Sequence, residues 1–267
     1  MDYSHYTHLS VTRADRVAVV TLNRPEEGNG IGPVMHTELE RVWLDLAEDE
    51  AVNAIVLTGA GDAFSAGGDL RALAEAAGSE EAFARSLRLP AATRRLLQNL
   101  LDVGQPVVVA VNGNCLGLGA TLALFSDIVV VAEGAKFGDT HVRVGLSAGD
   151  GGTVVWPLLI GPLRAKEFLM RGRPVTGAQA ASMGLVNYAV PAAEVLPKAM
   201  ELAAELAVAP VWAVRWTKLS VNKWLKDQLN LLLDASIAYE MLTMQSRDHG
   251  EAMRALLERR QPVFQGR

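Results

Sequence analysis

Two periods of apolar and polar positions alternate along this chain. Short apolar runs at Val17 to Leu22, Val52 to Leu57, Val107 to Val111 and Asp127 to Ala132 read as strands, most of them covered on both faces. Between them, apolar residues three and four apart predict helices. Met35 to Ala47 puts Leu39, Val42, Trp43 and Leu46 on one stripe, and further helices are expected over 71–100, Ala120 to Phe125 and Val154 to Ile160. Gly78 and Ser79 divide 71–100 into two helices, the first loosely anchored. Thr176-Gly177-Ala178-Gln179 has the spacing of a capping box for a helix ending at Gly184. Strands alternating with helices predict a mixed α/β fold with parallel pairing. From Glu194 onward the pattern is helical only, with breaks near Pro210 and Gly250. The chain therefore divides into a core over 1–200 and a helical region over 201–267. Leu229, Leu231, Leu232, Leu233, Met241, Leu242 and Met244 give that region more apolar surface than one helix needs, suited to covering a partner subunit or its own core.

Two of the strands run directly into glycine-rich turns, Ala63-Phe64-Ser65-Ala66-Gly67-Gly68-Asp69-Leu70 and Asn112-Gly113-Asn114-Cys115-Leu116-Gly117-Leu118-Gly119. Each turn leads into a helical pattern, so each presents free backbone N–H groups at a helix start. Two such groups aimed at one point would form an oxyanion hole, able to hold the negative oxygen of an enolate or tetrahedral intermediate.

Composition narrows the partners. With 267 residues, half of them hydrophobic, the chain can bury a full core. A formal net charge of −5 argues against a broad nucleic-acid surface. A single cysteine, Cys115, excludes a disulfide framework and a thiolate-rich metal site. Met1 to Tyr6 lacks the features of a signal peptide, and no apolar run is long enough to span a membrane. The expectation is a cytoplasmic protein.

Six motifs follow one another along the chain: Leu22-Asn23-Arg24-Pro25, Ala63 to Leu70, Ala110-Val111-Asn112-Gly113, Ser126-Asp127-Ile128, Lys136-Phe137-Gly138 and Gly184-Leu185-Val186. In that order and spacing they resemble the crotonase (enoyl-CoA hydratase/isomerase) superfamily. The resemblance implies a spiral of ββα repeats with a C-terminal helical trimerisation region, assembled as a trimer or hexamer. It implies an acyl-CoA thioester as substrate, with coenzyme A entering only as part of it, and no metal, nucleotide or redox cofactor. By motif position the oxyanion donors would be the N–H groups of Gly68 and Leu118. Coenzyme A would lie near Ala66, Asp69 and Leu70, with Arg24 as a phosphate contact. Phe264 in the tail Glu258 to Phe264 would cover it, and Arg267 is a further candidate.

The reaction expected of the family is water addition to, or movement of, a double bond. Hydration usually relies on two glutamates, and both are replaced: Thr121 stands at the first position and His141 at the second. A threonine hydroxyl is no base at neutral pH, whereas histidine titrates near it. Asp150, flanked by Gly149 and Gly151 and just before a helix, is placed to meet His141 as an orienting carboxylate. The plain alternatives are a helix cap for Asp150 and a structural hydrogen bond for His141. His5, His8, His36 and His249 read as surface residues. The run His141 to Pro157 also resembles oxocamphor hydrolase, a relative that cleaves cyclic β-diketones, although a further catalytic histidine of that enzyme would fall at Leu118. Three readings follow: an acyl-CoA hydratase or isomerase, a diketone hydrolase, and a non-catalytic acyl-CoA binder.

Overall fold

The computed structural model describes residues 1–71, 74 and 79–266. The expected division of 71–100 at Gly78 and the candidate Arg267 lie outside the described residues. Two sheets carry the fold. The larger is β1 (Leu9–Ala14), β2 (Val17–Leu22), β3 (Ala54–Gly59), β5 (Val107–Val111), β7 (Ile128–Ala132) and β10 (Tyr188–Val190), in that spatial order. The smaller is β4 (Ala63–Ser65), β6 (Asn114–Leu116), β8 (Lys136–Gly138) and β9 (Val175–Thr176).

The order explains the repeat. β3, β5 and β7 are parallel neighbours in the large sheet, and each is followed by a short strand, β4, β6 or β8, in the small one. A strand pair and the helix after it make one turn of the spiral. β5 is buried at all five positions, as its unbroken valine-rich run predicts. β1 is absent from the periodicity because its outer half alternates weakly and is exposed; it joins only through antiparallel pairing with β2. The short strands of the small sheet, at two or three residues each, are below the length at which a period can be read.

Helix α1 (Pro33–Glu48) starts with proline, whose missing N–H costs nothing in a first turn, and buries Leu39, Val42, Trp43 and Leu46. Helix α2 (Glu80–Asp102) packs against it. Helix α3 (Leu118–Phe125) is buried at all eight residues, so it is a core element that cannot shift without opening the interior. Helix α4 (Gly152–Arg171) kinks at Gly161, beside Pro162. Helix α5 (Gly177–Ser182) has the capping box, with Thr176 and Gln179 each bonding the other's backbone. Helix α6 (Val195–Val208) lies across β3, β5 and β7.

The chain closes with α7 (Val211–Met244) and α8 (Arg247–Leu257). The break expected at Gly250 falls instead at Gln245 and Ser246, because the Ser246 side chain accepts from the His249 N–H and starts α8 there. His36 and His249 are buried rather than on the surface. His36 pairs with Glu40, and His249 faces the Val144 carbonyl at 2.8 Å. No helix among the described residues is long and apolar enough to cross a membrane.

Candidate active site

The two glycine turns touch. Gly67 has φ +93°, and a Cβ there would lie 2.9 Å from the Leu116 carbonyl oxygen and 3.4 Å from Gly117 Cα. Only glycine allows both the backbone angle and the approach. The first turn is fixed from below: the Ser65 hydroxyl accepts from the Gly67 N–H at 3.1 Å and donates to the Asn29 carbonyl at 2.9 Å. It is fixed from the side by Ile31, whose N–H donates to Gly67 O at 2.7 Å and whose carbonyl accepts from Asp69 N–H at 3.4 Å. That is the pattern of a parallel bridge centred on Gly68. Neighbouring backbone groups alternate in direction along extended chain, so Gly68 turns its own N–H away from Ile31.

In the second turn, Gly117 donates to Gly138 O at 3.0 Å and accepts from the Thr121 N–H at 3.0 Å. Leu118 is the first residue of α3, with one of the donors that a helix start leaves without an internal acceptor. Among the described residues neither the Gly68 nor the Leu118 N–H has a hydrogen-bond partner.

Beside these turns stand the acid–base groups. β8 ends at Gly138, α4 begins at Gly152, and the stretch between supplies Asp139, His141 and Asp150. His141 sits on a short 3₁₀ turn, its Cε1 3.6 Å from the position a Cβ on Gly117 would take. His141 Nε2 is 3.3 Å from Asp150 Oδ2, and Nδ1 is 2.8 Å from Asp139 Oδ1. Asp139 was not legible in the sequence as a site residue. The same Asp139 oxygen accepts the His141 backbone N–H at 3.1 Å, which fixes both ring and chain. The other oxygen of Asp150 accepts from Thr121 Oγ1 at 3.0 Å. One carboxylate thus joins the two residues that occupy the expected glutamate positions.

With a carboxylate on each ring nitrogen, both contacts are best satisfied by the doubly protonated imidazolium. Burial opposes that charge, but the charges of Asp139 and Asp150 and their hydrogen bonds outweigh it, holding the His141 pKa well above its ordinary 6.5. Burial likewise pushes Asp150 up. The His141 charge, with bonds from His141, Thr121 and the Gly152 N–H, overcomes it and leaves the carboxyl below its ordinary 3.8. His141 in this state is a proton donor, and Asp150 is the available base. One ligand-type atom from each of Asp139, His141 and Asp150 lies within 4.8 Å of the others. Both ring nitrogens are spent on the carboxylates, so a cation could enter only by breaking those contacts.

The other expected residues are placed around the first turn. Ala66 is exposed, its N–H bonded to Gly28 O at 2.8 Å; Asp69 lies over Gly30 and Gly32 at the start of α1; Leu70 is half-buried. Arg24 is engaged by Glu26 at 2.7 Å and by Glu27, and it faces His8 at 3.0 Å, so a phosphate would have to compete with two carboxylates. Phe264 belongs to a tail held on α8, where Asp248 accepts from the Gln265 and Gly266 N–H groups at 2.7 and 2.8 Å.

The chain is similar to known proteins over nearly its whole length. The family model described as enoyl-CoA hydratase/isomerase matches residues 12–267. The chain is 32% identical to the 1,2-epoxyphenylacetyl-CoA isomerase of Escherichia coli, over 94% of this chain and 95% of that protein. It is 29% identical to the crotonyl-CoA hydratase of Syntrophomonas wolfei, over 97% and 98%. A crystal structure of an enoyl-CoA hydratase/isomerase from Mycobacterium paratuberculosis superposes with a TM-score of 0.87 at 34% identity, covering 94% of this chain and 99% of that one.

Proposed function

Because this chain belongs to the enoyl-CoA hydratase/isomerase family, we propose that it binds an acyl-CoA thioester and moves protons, or adds water, at the carbons next to its carbonyl. The thioester oxygen takes the Gly68 and Leu118 N–H groups, two preset donors for the charge that grows as an enolate forms.

The observation that carries this reading is the Asp150 carboxylate, bonded at once to Thr121 and His141. The two groups divide the work of the missing glutamates. For water addition, Asp150 takes a proton from water as its oxygen bonds to the β-carbon, and the double-bond electrons pass to the thioester oxygen. The enolate then takes a proton at the α-carbon from His141 Nε2. The 3.3 Å contact returns the proton from Asp150 to His141, closing the cycle without net change. A double-bond shift uses the same two groups, one removing a proton and the other supplying one.

The test is turnover of a short enoyl-CoA beside calorimetric binding of a saturated acyl-CoA. Asp150→Asn keeps the shape and removes the base, so kcat is expected to fall by at least about 100-fold while binding persists. An active Asp150→Asn protein, or a wild type that binds no acyl-CoA, overturns the reading. The same His141–Asp150 contact also favours a second reading, water activation against a cyclic β-diketone; turnover of such a ketone without coenzyme A would select it.

Assembly as a trimer or hexamer belongs to this reading. Its support is the uncovered apolar surface of α7, where Leu231, Tyr239 and Leu242 are exposed. Sedimentation equilibrium giving only monomer would remove it.

A further inference from the structure

Helix α7 enters the site from behind, and nothing in the sequence signalled it. Ser236, Glu240 and Thr243, four and three residues apart, share one helix face. Together they grip the chain that leads into Asp150. Ser236 Oγ donates to the Gly149 carbonyl at 2.9 Å, Thr243 Oγ1 accepts the Ser147 N–H at 3.0 Å, and the Glu240 side chain packs directly against Gly149. The approach is close enough to require glycine: a Cβ on Gly149 would lie 2.5 Å from Ser236 O and 2.6 Å from Glu240 Cβ. Glu240 is 5% exposed, and its Oε2 has no hydrogen-bond partner among the described residues.

A buried carboxylate with an unanswered oxygen is costly when charged, and the usual escape is to keep the proton. The charged groups facing Glu240 are His141 on the 3₁₀ turn, Asp139 before it and Asp150 before α4. Burial, with the charges of Asp150 and Asp139, outweighs the His141 charge and the nearby Gly149 N–H, and pushes the Glu240 carboxyl up to about 8.

We propose that Glu240 is a positioning residue of the site, packed against Gly149 next to Asp150 and governing how tightly the Asp150–His141 pair keeps its proton. The inference rests on the acyl-CoA reading above. Neutral Glu240 leaves one imidazolium between two carboxylates. Ionised Glu240 adds a third negative charge, which makes His141 a weaker proton donor to the enolate. Activity therefore declines above about pH 8 through Glu240, although the residue never touches substrate.

The test follows the His141 ring nitrogens in full-length protein carrying ¹⁵N-histidine, with the signal assigned by its loss in His141→Gln. Wild type is expected to show imidazolium shifts through neutrality and a step near pH 8. Glu240→Gln keeps the imidazolium and loses the step. In enoyl-CoA turnover, Glu240→Ala lowers kcat by about 10- to 100-fold with KM unchanged, since a misplaced group costs rate more than binding. Glu240→Gln recovers most of that loss and abolishes the alkaline limb. A step or an alkaline limb that persists in Glu240→Gln overturns the proposal. If wild type neither binds nor turns over acyl-CoA, the functional reading fails while the ring signal still decides whether Glu240 governs His141.

Discussion

Replacing Gly67 by alanine tests the carbonyl pocket with an internal control. Two penalties apply. An L-residue at φ +93° costs about 1–2 kcal/mol from backbone sterics alone. The new Cβ must also leave a position 2.9 Å from the Leu116 carbonyl oxygen, a backbone atom that cannot swing aside as a flexible side chain would. Relieving it parts the two turns by several tenths of an ångström, at a further cost of about 1–3 kcal/mol. The expected loss of stability is therefore about 2–5 kcal/mol, and on the proposed reading kcat falls about 100-fold because Gly68 and Leu118 would no longer converge on one oxygen. Gly184→Ala is the control. It has a similar angle, φ +78°, and nothing among the described residues within 4 Å of its Cβ position. It should lose only about 1–2 kcal/mol of backbone strain and keep its turnover. Urea unfolding at constant m-value and enoyl-CoA kinetics measure both variants side by side. If Gly67→Ala matches Gly184→Ala in stability and rate, the contact between the turns is not what holds the pocket.

Two further outcomes are expected. Thr121→Val removes a hydrogen bond to an ionised Asp150, worth about 1.5–3 kcal/mol, and should lower kcat about tenfold or more while acyl-CoA affinity is kept; unchanged kinetics would leave Thr121 a packing residue only. The His141 ring carries a raised pKa in the fold, so its contribution to stability is full below pH 6.5 and drains away as pH rises through the raised value. Between pH 6.5 and 8, wild type should lose stability faster than His141→Gln by about one proton's worth, about 1.4 kcal/mol per pH unit; equal slopes in urea titrations would contradict the imidazolium assignment.

The sequence disclosed those parts of the molecule whose physics is local. β5 was readable to the residue because five consecutive apolar side chains demand cover on both faces. The two turns were readable because glycine pairs mark backbone that side chains would block. His141 and Asp150 were readable together, and they stand 3.3 Å apart. Glu240 was not, since one acid on a long polar and apolar helix looks the same whether it meets water or Gly149. Asp139 was hidden for the opposite reason: two residues from His141, it gave no hint that a 3₁₀ turn would fold its carboxylate back onto the ring. The buried state of His249 was hidden likewise, since the Val144 carbonyl it faces lies far away in sequence.

The stretch from Asp139 to Gly151, between β8 and α4, carries both ring partners of His141 as well as the histidine itself. On the proposed reading, the carbonyl donors would come from the two preceding turns of the spiral. That reading places chemistry and substrate anchoring in separate pieces of chain, with the proposed acid and base on one continuous peptide. Such an arrangement behaves as a cassette: exchanging a single loop, with the α7 residue that backs it, would rewrite the reaction while leaving the thioester held where it was.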